Sequence, residues 1–375
     1  MTTISLHGLT VHLGEPRQAM ESIGHGWFPS LAHFPTGELL LAYSLAADTN
    51  ENQVDLSGYQ VSSDGGHTWT PRYDILPEHQ PMIYVPQADG ALLALPAYLY
   101  AVTPADLHTF CGAATRFEEG GRRVVFEPQG VRLVDWPWPV QILPNPYRTN
   151  HHRVNLCFDG DALTVDGRLI ATLYGAKSDD AFYSVVVATS DDGGRTWRYL
   201  ATVAGPEAVP ATAPRGHGPG EPSLVQLANG DLMCVMRMGG GAAFPLRRSY
   251  SSDGGRTWSP PAVLPAVSVE PSLKRLQNGV LALSTGRPGI FLWLATDERG
   301  TTWQSIDVLA HHNAWASAGY QITPEQTTAY TEIIEVAPNH LLLAYDRTPF
   351  GWRPTPADSG ERNRIFLLPI EVEVE

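Results

Sequence analysis

The sequence predicts an all-β fold, a six-bladed β-propeller forming one domain over residues 1–375, and three observations point there. They are a turn motif repeated along the chain, six copies of one strand pair, and a composition suited to short strands. Of the 375 residues, 35 are Gly, 31 are Pro and 10 are Trp; 17% are charged and 43% are hydrophobic. That mixture supports a large core and many tight turns rather than long helices.

The turn motif is Ser62-Ser63-Asp64-Gly65-Gly66-His67-Thr68-Trp69, repeated from Ser190 to Trp197 and from Ser251 to Trp258. A fourth copy, from Asp297 through Gly300 and Thr302 to Trp303, carries an extra residue. Asp and Ser side chains bond turn backbone, Gly supplies positive φ and Trp packs beneath. The motif resembles the Asp-box of the sialidase superfamily. That resemblance implies a place between the third and fourth strands of a propeller blade and a role in turn stability, with no part in catalysis.

The strand pair recurs as FPSLAHFPTGELLLAYS (from Phe28), PMIYVPQADGALLALPA (Pro81), FDGDALTVDGRLIATLY (Phe158), EPSLVQLANGDLMCVMR (Glu221), EPSLKRLQNGVLALSTGR (Glu270) and YTEIIEVAPNHLLLAYDR (Tyr330). Each reads as a strand, a Gly or Asn turn and an apolar strand. One copy per blade gives six blades, with Asp-box hairpins supplying the outer strands of blades one, three, four and five. Blade two uses Glu118-Glu119-Gly120-Gly121 instead. Blade six has one further strand, 365–374, and residues 4–13, apolar at alternate positions, are the expected N-terminal strand that closes it.

In the propeller that this chain resembles, the functional face is where each innermost strand begins and its hairpin partner ends. Here that geometry selects Trp27, Phe28, Glu221, Glu270 and Tyr330 at strand starts, with Arg237, Arg287, Asp346 and Arg347 at strand ends. The resemblance implies Tyr330 as nucleophile, Glu221 as the carboxylate that assists it, and Arg237 and Arg287 as substrate-carboxylate binders. A phenol with a reference pKa of ~10 needs such a base, and guanidinium groups hold carboxylates through paired hydrogen bonds. The acid that protonates the leaving oxygen is expected in the loop after the second strand of blade one, where Asp48, Glu51 and Asp55 stand. The family's first blade contributes a further arginine; Trp27-Phe28-Pro29 occupy that place, leaving Arg347, His25 or Arg215 to fill the role or the substrate to be another sugar. His151, His152 and His217 lie in loops on the same face as candidates for substrate contact, as do the sugar-stacking candidates Trp136, Trp138 and Trp315.

The plainer readings stay beside these. Glu221 and Glu270 both precede Pro-Ser-Leu and could serve as turn acceptors, the arginines could pair with them, and Tyr330 could be a core aromatic. Adjacent His151 and His152 do not share a strand face, so no metal is expected, and no motif calls for a cofactor. A net charge of −14 without a basic cluster excludes nucleic-acid and anionic-membrane partners. The start MTTISLHGLTVHLGEP lacks a secretory signal pattern, and Cys111, Cys157 and Cys234 are too few and too scattered for a disulfide framework, so a cytoplasmic protein is expected.

The leading expectation is therefore an exo-acting, sialidase-like glycoside hydrolase taking a sialic acid or another acidic sugar. Three alternatives remain open: an arabinanase-like exo-glycosidase using the pair Glu221 and Glu270, a uronate lyase using His and Tyr, and a non-catalytic propeller that binds glycans or proteins.

Overall fold

The structure, a computed structural model, describes residues 1–47, 56–70, 76, 81–103, 105–143, 152–209, 218–239 and 244–375. Strands dominate it, and the chain divides into two compact units.

One unit comprises 1–33, 37–80 and 268–375. It contains the hairpins Trp27–His33 with Leu39–Ser44, Val269–Arg275 with Leu281–Gly286, and Glu332–Ala337 with His340–Arg347. The second members are mostly apolar and, His340 apart, buried along their length, since sheet covers both faces. The long strand Asn363–Val374 follows His340–Arg347, and Leu9–Leu13 pairs antiparallel with its end, Leu13 opposite Ile370 and Leu9 opposite Val374. The expected N-terminal partner is thus present, with one difference. Residues 4–13 form no single strand, because Gly8 at φ +73° turns the chain so that Thr2–Leu6 pairs back on Leu9–Leu13. Leu9, Val11, Leu13, Ile290, Leu292, Leu343 and Leu368 lie together in the core of this unit.

The sequence also gave no sign of the helix Val308–Trp315, capped where the Asp307 side chain accepts from Ala310 N at 2.8 Å. It buries His312, which sits 2.8 Å from the Tyr345 hydroxyl and 3.0 Å from the Tyr320 carbonyl; burial lowers the pKa of this imidazole. A neutral ring satisfies both contacts, Nε2–H donating to the carbonyl and Nδ1 accepting from the phenol.

The other unit comprises 34–36 and 81–267. Its hairpins are Tyr84–Pro86 with Leu92–Ala94, Leu156–Val165 with Arg168–Gly175, and Pro219–Gln226 with Leu232–Met238. The second and third copies do not give separate sheets. Thr196–Ala204 pairs in parallel with Arg123–Leu133 through Arg132 opposite Thr196 and Leu133 opposite Trp197, joining nine strands in one sheet. The cause is local: the second copy ends in a long hairpin, Phe110–Glu118 with Arg123–Leu133, turned by Glu119–Gly121, and its far strand reaches the next copy's outer strand.

The repeated turns are built as their residues dictate. Asp64 Oδ1 accepts from His67 N at 3.0 Å and Thr68 N at 2.8 Å, while Ser62 Oγ accepts from Gly66 N at 2.9 Å. Asp192 and Asp253 repeat the pattern. Asp297 also holds its longer turn, accepting from Thr301 N and Thr302 N. Trp197, fully buried, donates to the Gly194 carbonyl at 2.8 Å and meets Phe158 edge-on at 5.4 Å.

Candidate active site

Three of the hairpins' first strands carry a bulge at their start. Register slips between Trp27 and Ser30, between Gly220 and Pro222, and between Val269 and Ser272. The extra residue sits at positive φ in each: Phe28 at +56°, Glu221 at +43° and Glu270 at +38°. The following Pro has no N–H for the interrupted ladder to satisfy. In Leu156–Val165 the register slips between Phe158 and Ala162, and that stretch holds Gly160 at φ +92°, where a Cβ would fall 2.0 Å from the Pro222 carbonyl oxygen. A side chain at positive φ costs roughly 1–2 kcal/mol that glycine avoids. Bulges re-aim side chains and such strain concentrates at functional positions, so two glutamates held this way make the slot a candidate site.

In the second unit, Glu221 Oε1 lies 2.6 Å from Arg237 Nη1, with side chains 9% and 16% exposed. Gly220, opposite Arg237 in the ladder, lets the backbone approach Tyr174, whose ring would stand 3.2 Å from a Cβ there. The Tyr174 and Tyr183 rings are 5.7 Å apart. Burial raises the Tyr183 phenol, and the nearby Glu221 charge acts in the same direction against Asn155 and Arg153. Arg153 lies 3.4 Å over the Tyr98 ring. His152 is half-buried, and its carbonyl accepts from Ala101 N. His151, Arg215 and His217 lie outside the described residues.

In the first unit, Tyr330 stands edge-on to Phe28 at 4.9 Å and to Trp352 at 5.9 Å, and Phe28 and Trp352 are 5.3 Å apart. Arg287 lies 4.4 Å over the Trp352 ring and donates from Nη2 to the Thr328 carbonyl at 3.2 Å. Glu270 is 5% exposed. Beneath the aromatic group is Asp346, with no exposed surface; its Oδ1 accepts from Thr327 Oγ1 and Thr328 N, and its Oδ2 from Thr328 Oγ1 and Phe28 N. Burial raises this carboxyl above the usual carboxylate range against the pull of those Thr328, Thr327 and Phe28 donors.

Within this unit the sequence candidates Trp27, Phe28, Tyr330 and Arg287 come together, and Arg347 stands apart from them. Trp27, 1% exposed, packs in one cluster with Phe28, Tyr330 and Trp352 and donates from its indole to the Gly351 carbonyl. Arg347 is 4% exposed and is turned to the Gln321 carbonyl and the Glu361 carboxylate. Asp48, Glu51 and Asp55 lie outside the described residues. Sequence reasoning missed Trp352, Tyr174 and Tyr183. Trp352 follows a turn glycine beyond a strand end, where no periodicity marks it, and Tyr183 precedes the strand Ser184–Ser190 without any motif.

The chain belongs to the family of BNR repeat-like domains, whose sequence model matches residues 147–340, and with it to the sialidase superfamily. A sialidase of Vibrio cholerae is 29% identical over 44% of this chain, and the match spans a quarter (25%) of that relative's length. Three solved structures share the fold. A Dyadobacter fermentans protein of unknown function superposes with a TM-score of 0.70 at 20% identity, over 97% of this chain and 99% of its own. A Hadza microbial sialidase gives 0.60 at 15% identity, over 92% and 65%. The Fusarium graminearum α-L-arabinofuranosidase gives 0.61 at 16%, over 96% and 98%. The all-β architecture is therefore the sialidase-like propeller fold.

Proposed function

We propose that this protein is an exo-acting, retaining glycoside hydrolase for an acidic sugar, with Tyr330 as nucleophile. The reading takes each of the six hairpins as one blade of a ring that the N-terminal strands close. The observation that supports it most is the setting of Tyr330, edge-on to Phe28 and Trp352 with Arg287 on the Trp352 face. Aromatic faces suit a sugar ring, the guanidinium suits a carboxylate, and the phenol is the nucleophile that the sialidase resemblance assigns.

In the first step the Tyr330 oxygen bonds the anomeric carbon as its proton passes to a general base. The glycosidic C–O bond breaks, and its oxygen takes a proton from an acid in the loop containing Asp48 and Asp55. In the second step water attacks the same carbon, that acid residue takes the water's proton, and the phenol recovers its own. Arg237 Nη1 donates to the Glu221 carboxylate at 2.6 Å. With Trp27 where the family places an arginine, sialic acid is a poorer substrate than a sugar whose carboxylate needs fewer cations.

A panel of aryl glycosides tests this: uronides are expected to turn over faster than sialosides, with retention at the anomeric carbon by NMR. Inversion, or full turnover by Tyr330→Phe, overturns it. A second reading, hydrolysis of neutral furanosides with Glu270 as a catalytic carboxylate, is favoured by the strained positive φ of Glu270 and by the arabinofuranosidase likeness. It predicts that Glu270→Gln is inactive while Tyr330→Phe retains turnover.

A further inference from the structure

Asp346 belongs to neither catalytic reading, yet the active-site groups of the first unit hang on it. Four donors point at its two carboxylate oxygens, and it has no exposed surface. The two threonine hydroxyls that donate to it also accept: Thr327 Oγ1 from Ala329 N at 2.9 Å and Thr328 Oγ1 from Tyr330 N at 3.4 Å. Ala329 is held at φ +64°, a conformation that an alanine keeps only when its surroundings impose it. The Phe28 N–H, at the strained bulge, is a third donor to the same carboxylate. The Thr328 carbonyl, on the far side of the turn, receives Arg287.

We propose that Asp346 is a positioning residue that sets the 327–330 turn, and through it the Tyr330 phenol against Phe28 and Arg287. Its chemistry is that of an acceptor-only group facing donors on both oxygens. An amide in its place turns one oxygen into an NH2 group opposite Phe28 N–H and the Thr328 hydroxyl. The hydroxyl can rotate to accept, but the Phe28 N–H then faces a donor. The two strained residues lose their common anchor, and the turn relaxes away from positive φ. The proposal rests on the reading of Tyr330 as nucleophile, and it adds a dependence that the reading alone does not require.

The test compares Asp346→Asn, Thr328→Val and Thr328→Ser, the last two keeping shape while removing or retaining the hydroxyl. Two measurements are made: kcat and KM on the aryl glycoside turned over best, and the fluorine NMR resonance of Tyr330 in protein labelled with 3-fluorotyrosine, assigned by its loss in Tyr330→Phe. Asp346→Asn and Thr328→Val are expected to lower kcat about 10- to 100-fold, the scale of a misplacement near 1 Å, with KM nearly unchanged. Both should shift the Tyr330 resonance, and Thr328→Ser should restore kcat and resonance. Should Asp346→Asn fail to fold, the threonine pair carries the comparison. An unmoved resonance in Thr328→Val, or a serine variant as impaired as the valine one, overturns the proposal. Full turnover by Tyr330→Phe would instead remove the nucleophile assignment, while the resonance shifts would still decide whether Asp346 sets the turn.

Discussion

Replacing Arg237 by Met should reveal how strongly the Glu221 carboxylate depends on its partner. The pair is 2.6 Å apart with side chains 9% and 16% exposed, so solvent screens it little. Removing one member of a buried pair leaves the other charge uncompensated and typically costs about 3–5 kcal/mol, whereas replacing both by neutral groups costs far less. Arg237→Met and Glu221→Gln should therefore each destabilise by about 3 kcal/mol or more, and the double variant by much less than their sum, a coupling of roughly 2–4 kcal/mol. Urea unfolding of the four proteins, followed by tryptophan fluorescence, measures it. A coupling below about 0.5 kcal/mol, the level of exposed ion pairs, would refute the view that this pair is buried and mutually dependent.

Other outcomes follow from the bulges and the repeated turns. Glu270→Gly should be more stable than Glu270→Ala by about 1 kcal/mol because only glycine takes φ +38° without strain; equal stabilities in thermal melts would contradict it. Asp192→Ala loses the bonds to Arg195 N, Thr196 N and Ser190 Oγ and should cost about 2–4 kcal/mol while leaving kcat unchanged; a fall in kcat at full stability would give this turn a catalytic part. The side-chain and backbone bonds from Thr257, with those from Ser251 and Arg256, hold the Asp253 carboxyl down at about 2, and Asp64 is lowered in the same way, first by the Thr68 side chain. Such a depressed group stabilises the fold above its unfolded value near 4 and loses that contribution as pH falls through the folded value. Melting temperature should therefore fall between pH 4 and 2, less steeply in Asp253→Asn, and an identical slope in the variant would count against these bonds.

The parts legible in the sequence are those encoded by local repetition. Ser-x-Asp-x-Gly-x-Thr-Trp specifies its turn through bonds that span five residues, so three copies read directly as structure. The hairpins were legible because each joins an apolar strand to a Gly or Asn turn, and the Glu221–Arg237 pair followed from their occupying opposite ends of one hairpin. The union of the second and third copies was not, since a two-residue parallel pairing of 132–133 with 196–197 leaves no pattern. The bulge had a readable trace, because Pro follows both Glu221 and Glu270. Trp352 and Asp346 join the aromatic group through tertiary folding alone, as Asp346 gathers donors from Phe28 N and from the 327–328 turn.

A fluorinated glycoside of the best substrate slows the second step and so traps the bond that Tyr330 makes to the sugar in this mechanism. After incubation, intact-protein mass spectrometry should find one added glycosyl group, and peptide mapping should locate it on the peptide containing Tyr330, with no adduct in Tyr330→Phe. An adduct on Glu221 or Glu270, or one that persists in Tyr330→Phe, would contradict that mechanism.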